Sequence, residues 1–182
     1  YYNLAEEFVA ERLYPIDSGL FGGKSVNHTD VVTLIEMRSQ PTIVFEAKPI
    51  SWILYNKFVK LAEKKDSRDH GNYYPSLMEA FRILRLSKSR PECALSLFFF
   101  SDGRPSDFTT NTKFTKDKMS QEICDLVYTE CTLFKERLTF GSFGFGKEET
   151  DFEFMQNITE AALIAGSKAT FKYSYRDDGA LG

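Results

Sequence analysis

From Cys93 the chain runs through Ala94-Leu-Ser-Leu-Phe-Phe-Phe and then turns abruptly polar at Ser101-Asp102-Gly103-Arg104-Pro105-Ser106-Asp107. An apolar run of that length, with Arg90-Pro91 before it and a Gly/Pro turn after it, predicts a strand covered on both faces and therefore central in its sheet. Ligands of open α/β sheets gather just outside the carboxyl ends of the strands. Asp102, at that end, is the first candidate for chemistry.

The remaining pattern alternates between helical and extended periods. Tyr2 to Leu13 places Leu4 and Phe8 on one side and its glutamates elsewhere, which predicts an amphipathic helix. Tyr14 to Asp30 holds too many glycines and polar breakers for a regular element and reads as a surface loop. Val31 to Met37 and Thr42 to Ala47 read as two strands paired antiparallel across Arg38-Ser-Gln-Pro41. The second, between Pro41 and Pro49, suits a sheet margin. Trp52 to Lys64 carries Leu54, Phe58 and Leu61 at helical spacing. From Pro75 onward Leu77, Ala80, Phe81 and Leu84 do the same, with Pro75 in the first turn. Met119, Ile123, Leu126, Val127 and Phe134 mark a long helix, and Leu138 to Phe145 a glycine-rich strand. Asp151 to Ala165 predicts a helix buried through Met155, Ile158, Ala162 and Ala165, and Ala169 to Tyr173 a short strand. Such alternation predicts an α/β fold: a doubly wound, three-layer α/β/α arrangement with a mostly parallel sheet and one antiparallel edge strand.

Composition narrows the picture. A chain of 182 residues with 42% hydrophobic and 27% charged residues fits one globular domain, residues 1–182, with a core of its own. A net charge of -3 gives no electrostatic reason to expect nucleic acid or an anionic membrane as partner. No apolar stretch approaches the roughly 20 residues that span a bilayer, and the opening residues do not follow a signal-peptide pattern. The first residue is Tyr, so the expectation is a mature product or a piece of a longer chain. Cys93, Cys124 and Cys131 form no metal or redox motif and read as free buried thiols, which leans intracellular. The sequons Asn27-His28-Thr29 and Asn157-Ile158-Thr159 pull the other way, and the compartment stays open.

Catalytic patterns are sparse. His28 and His70, the only histidines, stand in polar loops without a Cys or second His at zinc spacing. Gly141-Ser142-Phe143-Gly144 has the wrong spacing for a nucleophile turn. Gly144-Phe-Gly146-Lys147 matches neither a phosphate loop nor a dinucleotide fingerprint. Aromatic residues in loops near strand ends read differently from those in strands, since Tyr and Phe there serve as interface anchors. Asn72, Tyr73, Tyr74, Arg104, Phe108 and Phe114 are accordingly the candidate partner contacts.

Four stretches resemble the von Willebrand factor A domain family. Val32-Thr-Leu-Ile-Glu-Met with Thr42-Ile-Val-Phe is similar to its second and antiparallel third strands. Asn72-Tyr-Tyr-Pro-Ser-Leu77 is similar to its "Thr-Asn-Tyr-x-Pro-Ala-Leu" loop and helix start. Leu97 to Asp107 is similar to its fourth strand and "Ser-Asp-Gly-x-Pro-Asn-Asp" turn, and Gly144-Phe-Gly-Lys147 with Asp151-Phe152 to its fifth strand and the helix after it. The resemblance runs from residue 1 to about 175 and implies a non-enzymatic protein-interaction module, an adhesion or scaffold part of a larger assembly. It also implies a metal-ion-dependent adhesion site, in which a divalent cation held by hard oxygen ligands takes an acidic side chain from a partner. Asp102 falls on the family's aspartate. The family's metal-binding threonine falls on Gly71, and no Asp-x-Ser-x-Ser motif occurs. The expected site is therefore degenerate, holding Mg²⁺ only if upstream residues complete it. The family's first strand, central in its sheet, has no counterpart here. An upstream segment or another chain is expected to donate it by β-augmentation. The competing expectation is a nucleotide- or metal-dependent enzyme on the same doubly wound fold.

Overall fold

The computed structural model describes residues 30–63, 71–86, 93–103, 105–107, 116–146 and 152–175. The expected helix at Tyr2 to Leu13 and nearly all of the loop after it lie outside these residues. So do Asn27, His28, His70, Arg104, Phe108, Phe114, Lys147 and Asp151. Among the described residues the order is β1 (Val31–Glu36), β2 (Thr42–Pro49), α1 (Trp52–Ala62), α2 (Tyr73–Leu86), β3 (Leu95–Ser101), α3 (Lys116–Phe134), a 3₁₀ turn (Lys135–Arg137), β4 (Leu138–Gly146), α4 (Glu153–Ile164) and β5 (Lys168–Tyr175). The strands form two sheets, an antiparallel β1-β2 pair and a parallel β3-β4-β5 sheet, so the fold class is α/β as the alternation predicts, but among the described residues the antiparallel strands pair only with each other and not as an edge of the parallel sheet. The described residues divide into two compact units, 30–36 with 42–63, and 37–41 with those from 71 onward.

In the first unit the antiparallel register pairs Val32 with Lys48, Leu34 with Phe45 and Ile35 with Ile43. Between the first two pairs Thr33 therefore opposes both Glu46 and Ala47, a β-bulge. Ala47 takes φ +46°, and its amide donates to Thr33 Oγ1 at 3.0 Å. Ala47, in the bulge, is exposed. Helix α1 starts at Ser51, whose Oγ accepts the Leu54 amide at 3.2 Å, the usual service of an N-cap serine. Leu54 and Phe58, one turn apart, then bury against Phe45 and Ile50, with the Phe45 and Phe58 rings edge to face at 5.2 Å.

In the second unit all pairing is parallel. Leu95 to Ser101 lies beside Leu138 to Gly144, and Thr139 to Gly146 beside Lys168 to Tyr175. Among the described strands the central one is β4, which corrects the placement of the Ala94–Ser101 run in the middle. Nor is that run covered on both faces: Leu95, Leu97, Phe99 and Ser101 are buried, whereas Ser96 and Phe98 are exposed, Phe98 by 42%. Apolar residues occupy its outer face because rings there pack on one another. Phe143 meets Phe98 edge to face at 6.0 Å and stacks on Phe100 at 5.1 Å.

The inner face carries the core. Tyr73, Leu77 and Phe81 of α2, Met119, Ile123, Val127 and Cys131 of α3, and Met155, Ile158 and Ala162 of α4 repeat every three or four residues and converge on Leu97, Phe99 and Phe140. Leu97 pairs in register with Phe140, and Phe99 lies two residues along from Leu97, so these strand residues share the face of the sheet that the helices cover. Helix α4 ends in a Schellman motif: Gly166, at φ +91°, donates its amide to Leu163 O at 2.9 Å, and Ser167 donates to Ala162 O at 3.1 Å.

Candidate partner-binding site

The carboxyl end of β3 and the amino end of α2 meet at a network of polar groups. Pro75 has no amide to leave unsatisfied, but the first-turn amides of Tyr73 and Tyr74 need acceptors. Asn72, just before the helix, is a good capping type. Its Nδ2, however, donates to Ser39 O at 3.2 Å, and its own amide donates to Arg38 O at 3.2 Å. The two amides go instead to Asp107, whose Oδ2 accepts from Tyr73 at 2.7 Å and Oδ1 from Tyr74 at 3.0 Å. Ser76 Oγ returns to the backbone, donating to Asn72 O at 2.7 Å.

Asp107 is buried, and that burial raises its carboxyl above the ordinary value of 3.8, against the amides of Tyr73, Tyr74 and Asp107 itself, which favour the anion. The turn between strand and cap is tied down as well. Ser101 Oγ hydrogen-bonds to the Tyr73 hydroxyl and accepts the Gly103 amide at 3.2 Å, while Ser106 donates its amide to Gly71 O at 3.1 Å. Gly103 stands at φ +101°, a conformation that glycine adopts without a steric penalty. Asp102 is left exposed on this braced turn.

Two of the expected contact residues need correction. Tyr73 is fully buried, its ring edge to face on Phe99 at 4.6 Å, so it belongs to the core and offers no surface to a partner. Asn72 is buried too, holding the 38–39 backbone. The cause is shared: α2 begins at Tyr73, two residues earlier than Pro75 suggests, and its first turn points inward. Tyr74 is half-buried, and Arg104, Phe108 and Phe114 lie outside the described residues. Among the described residues no three His, Cys, Asp or Glu side chains gather as a metal site around Asp102 or elsewhere.

Asp107 is the residue that the sequence reading missed. Its signal was the second carboxylate of the Asp102-to-Asp107 turn, six residues past Ser101, which nothing local distinguishes from a solvated one.

Other polar and nucleophilic groups are committed to structure. Ser142 Oγ is buried and hydrogen-bonded to Thr159 Oγ1, which donates to Met155 O at 2.8 Å. The sequon at Asn157 thus has its threonine buried in the core. Gly144 lies under the Phe152 ring, with room for no side chain: a Cβ would come within 2.5 Å of it. Burial pushes the Cys131 thiol up to about 11, with the Glu130 charge adding and the Ser167 hydroxyl opposing. Burial also raises Cys124, helped by Asp125. Thiols so shifted hold little of the nucleophilic thiolate at neutral pH. No helix among the described residues is long and apolar enough to cross a membrane.

No family model matches this chain, and no curated protein sequence does. Among solved structures, an uncharacterized membrane spanning protein from Vibrio fischeri is similar over 98% of this chain and 76% of its own, at 13% identity and a TM-score of 0.31. Likeness of that degree carries no argument about fold or function.

Proposed function

We propose that this protein is a non-enzymatic protein-interaction module that resembles a von Willebrand factor A domain and works as part of a larger assembly. Its partner engages the surface at the carboxyl end of the parallel sheet. The observation that supports this reading is the braced turn. Ser101 and Asp107 are bonded to Tyr73 and Tyr74 of α2, and Gly103 to Ser101, so Asp102 is presented from a braced support while the Asp107 carboxyl is used as a cap. Preorganised surfaces lose less entropy on binding. With Tyr73 and Asn72 in the core, the contact set becomes Tyr74 and Asp102 together with Arg104, Phe108 and Phe114.

In this reading the metal-ion-dependent adhesion site is incomplete, with Asp102 as its one oxygen ligand. Mg²⁺ at 100 times a real dissociation constant would stabilise the fold by roughly 2.7 kcal/mol. The expected melting shift in millimolar Mg²⁺ is far below that and the same in Asp102→Ala. A large shift that Asp102→Ala abolishes would mean a working metal site. A further extended strand, from another segment or a partner, pairs with β3 beyond its one described neighbour, β4. The rival reading, a nucleotide- or metal-dependent enzyme, gains no phosphate site from the start of α2. The Tyr73 and Tyr74 amides, of the kind that hold a phosphate at other helix starts, are taken by Asp107.

The test is photocrosslinking from positions 74, 104 and 114, with Leu163 on α4 as the control. A defined protein adduct from the first three, and loss of binding to that purified protein in Arg104→Glu and Phe114→Ala with unchanged melting, is the expected outcome. Adducts from position 163 alone would place the binding surface elsewhere.

A further inference from the structure

We draw no further inference here: the strongest candidate, the exposed aliphatic side chains Leu133, Leu163 and Ile164 at the carboxyl ends of α3 and α4, carries nothing because no feature of the structure shows what covers them.

Discussion

The two ends of the parallel sheet are held together in different ways. At the carboxyl end the helix start and the strand end are joined by side chains distant in sequence: Asp107 caps Tyr73 and Tyr74, and the Tyr73 hydroxyl meets Ser101. At the amino end the backbone itself does most of the work. Helix α4 closes on Gly166 and Ser167, and α3 leaves its last turn through Lys135 at φ +48°, with the Arg137 guanidinium donating to Cys93 O at 2.8 Å. The first end depends on buried polar groups, which are costly once a partner is lost; the second depends on local backbone geometry, with Gly166 and Lys135 both at positive φ. The first should therefore suffer from loss of a side chain, and the second should gain where a non-glycine residue at positive φ becomes glycine.

The largest effect is expected at Tyr73. Truncation to Ala removes a fully buried ring and its hydroxyl, and should lower stability by about 3–5 kcal/mol in urea unfolding, as for other buried aromatics. Tyr73→Phe, which keeps the ring, should lose only about 1 kcal/mol because Ser101 still accepts the Gly103 amide. A Tyr73→Ala variant as stable as wild type would move this residue out of the core.

Asp107→Ala comes next. Two amides lose their acceptor, for an expected loss of about 2–3 kcal/mol. The pH dependence has a definite sign. Burial raises the folded carboxyl above its unfolded value of 3.8, so the folded state binds the proton more readily. The stability that this contributes is fully present below the unfolded value and is lost as pH rises through the raised folded value. Across that window wild type should lose stability, relative to Asp107→Asn, as pH rises. The opposite slope would mean that the amides outweigh burial.

Gly144→Ala should cost about 1–3 kcal/mol, since its methyl would meet the Phe152 ring, which stacks on Tyr173 at 5.7 Å. Pairing it with Phe152→Leu should recover part of the loss if that clash is the cause. At the amino end the sign reverses. Lys135→Gly relieves a left-handed non-glycine residue and should stabilise by about 0.5–1 kcal/mol, read as a higher urea midpoint with an unchanged slope. Destabilisation on the scale of Asp107→Ala would abolish the contrast between the two ends.

Much of the architecture follows from the linear pattern alone, because helices and strands bury side chains at periods written into consecutive residues. Met155, Ile158, Ala162 and Ala165 are expected inside and are found there, and Leu77 and Phe81 likewise. The antiparallel pairing of β1 with β2 also follows from two short runs around a tight connection. What the pattern could not supply was anything fixed by residues far apart. Whether Asp102 or Asp107 is the buried carboxylate depends on α2, more than 30 residues earlier, bringing two bare amides to the turn. The outer rings of β3 needed Phe143, on another strand, to explain why an apolar run can stand at the end of the described sheet. Tyr73 looked like a loop aromatic until the helix was seen to begin with it. Local periodicity determines which face of an element is apolar. Only the tertiary structure decides which polar group meets which, since a hydrogen bond needs both partners within about 3 Å and one chain segment cannot specify where the other will be.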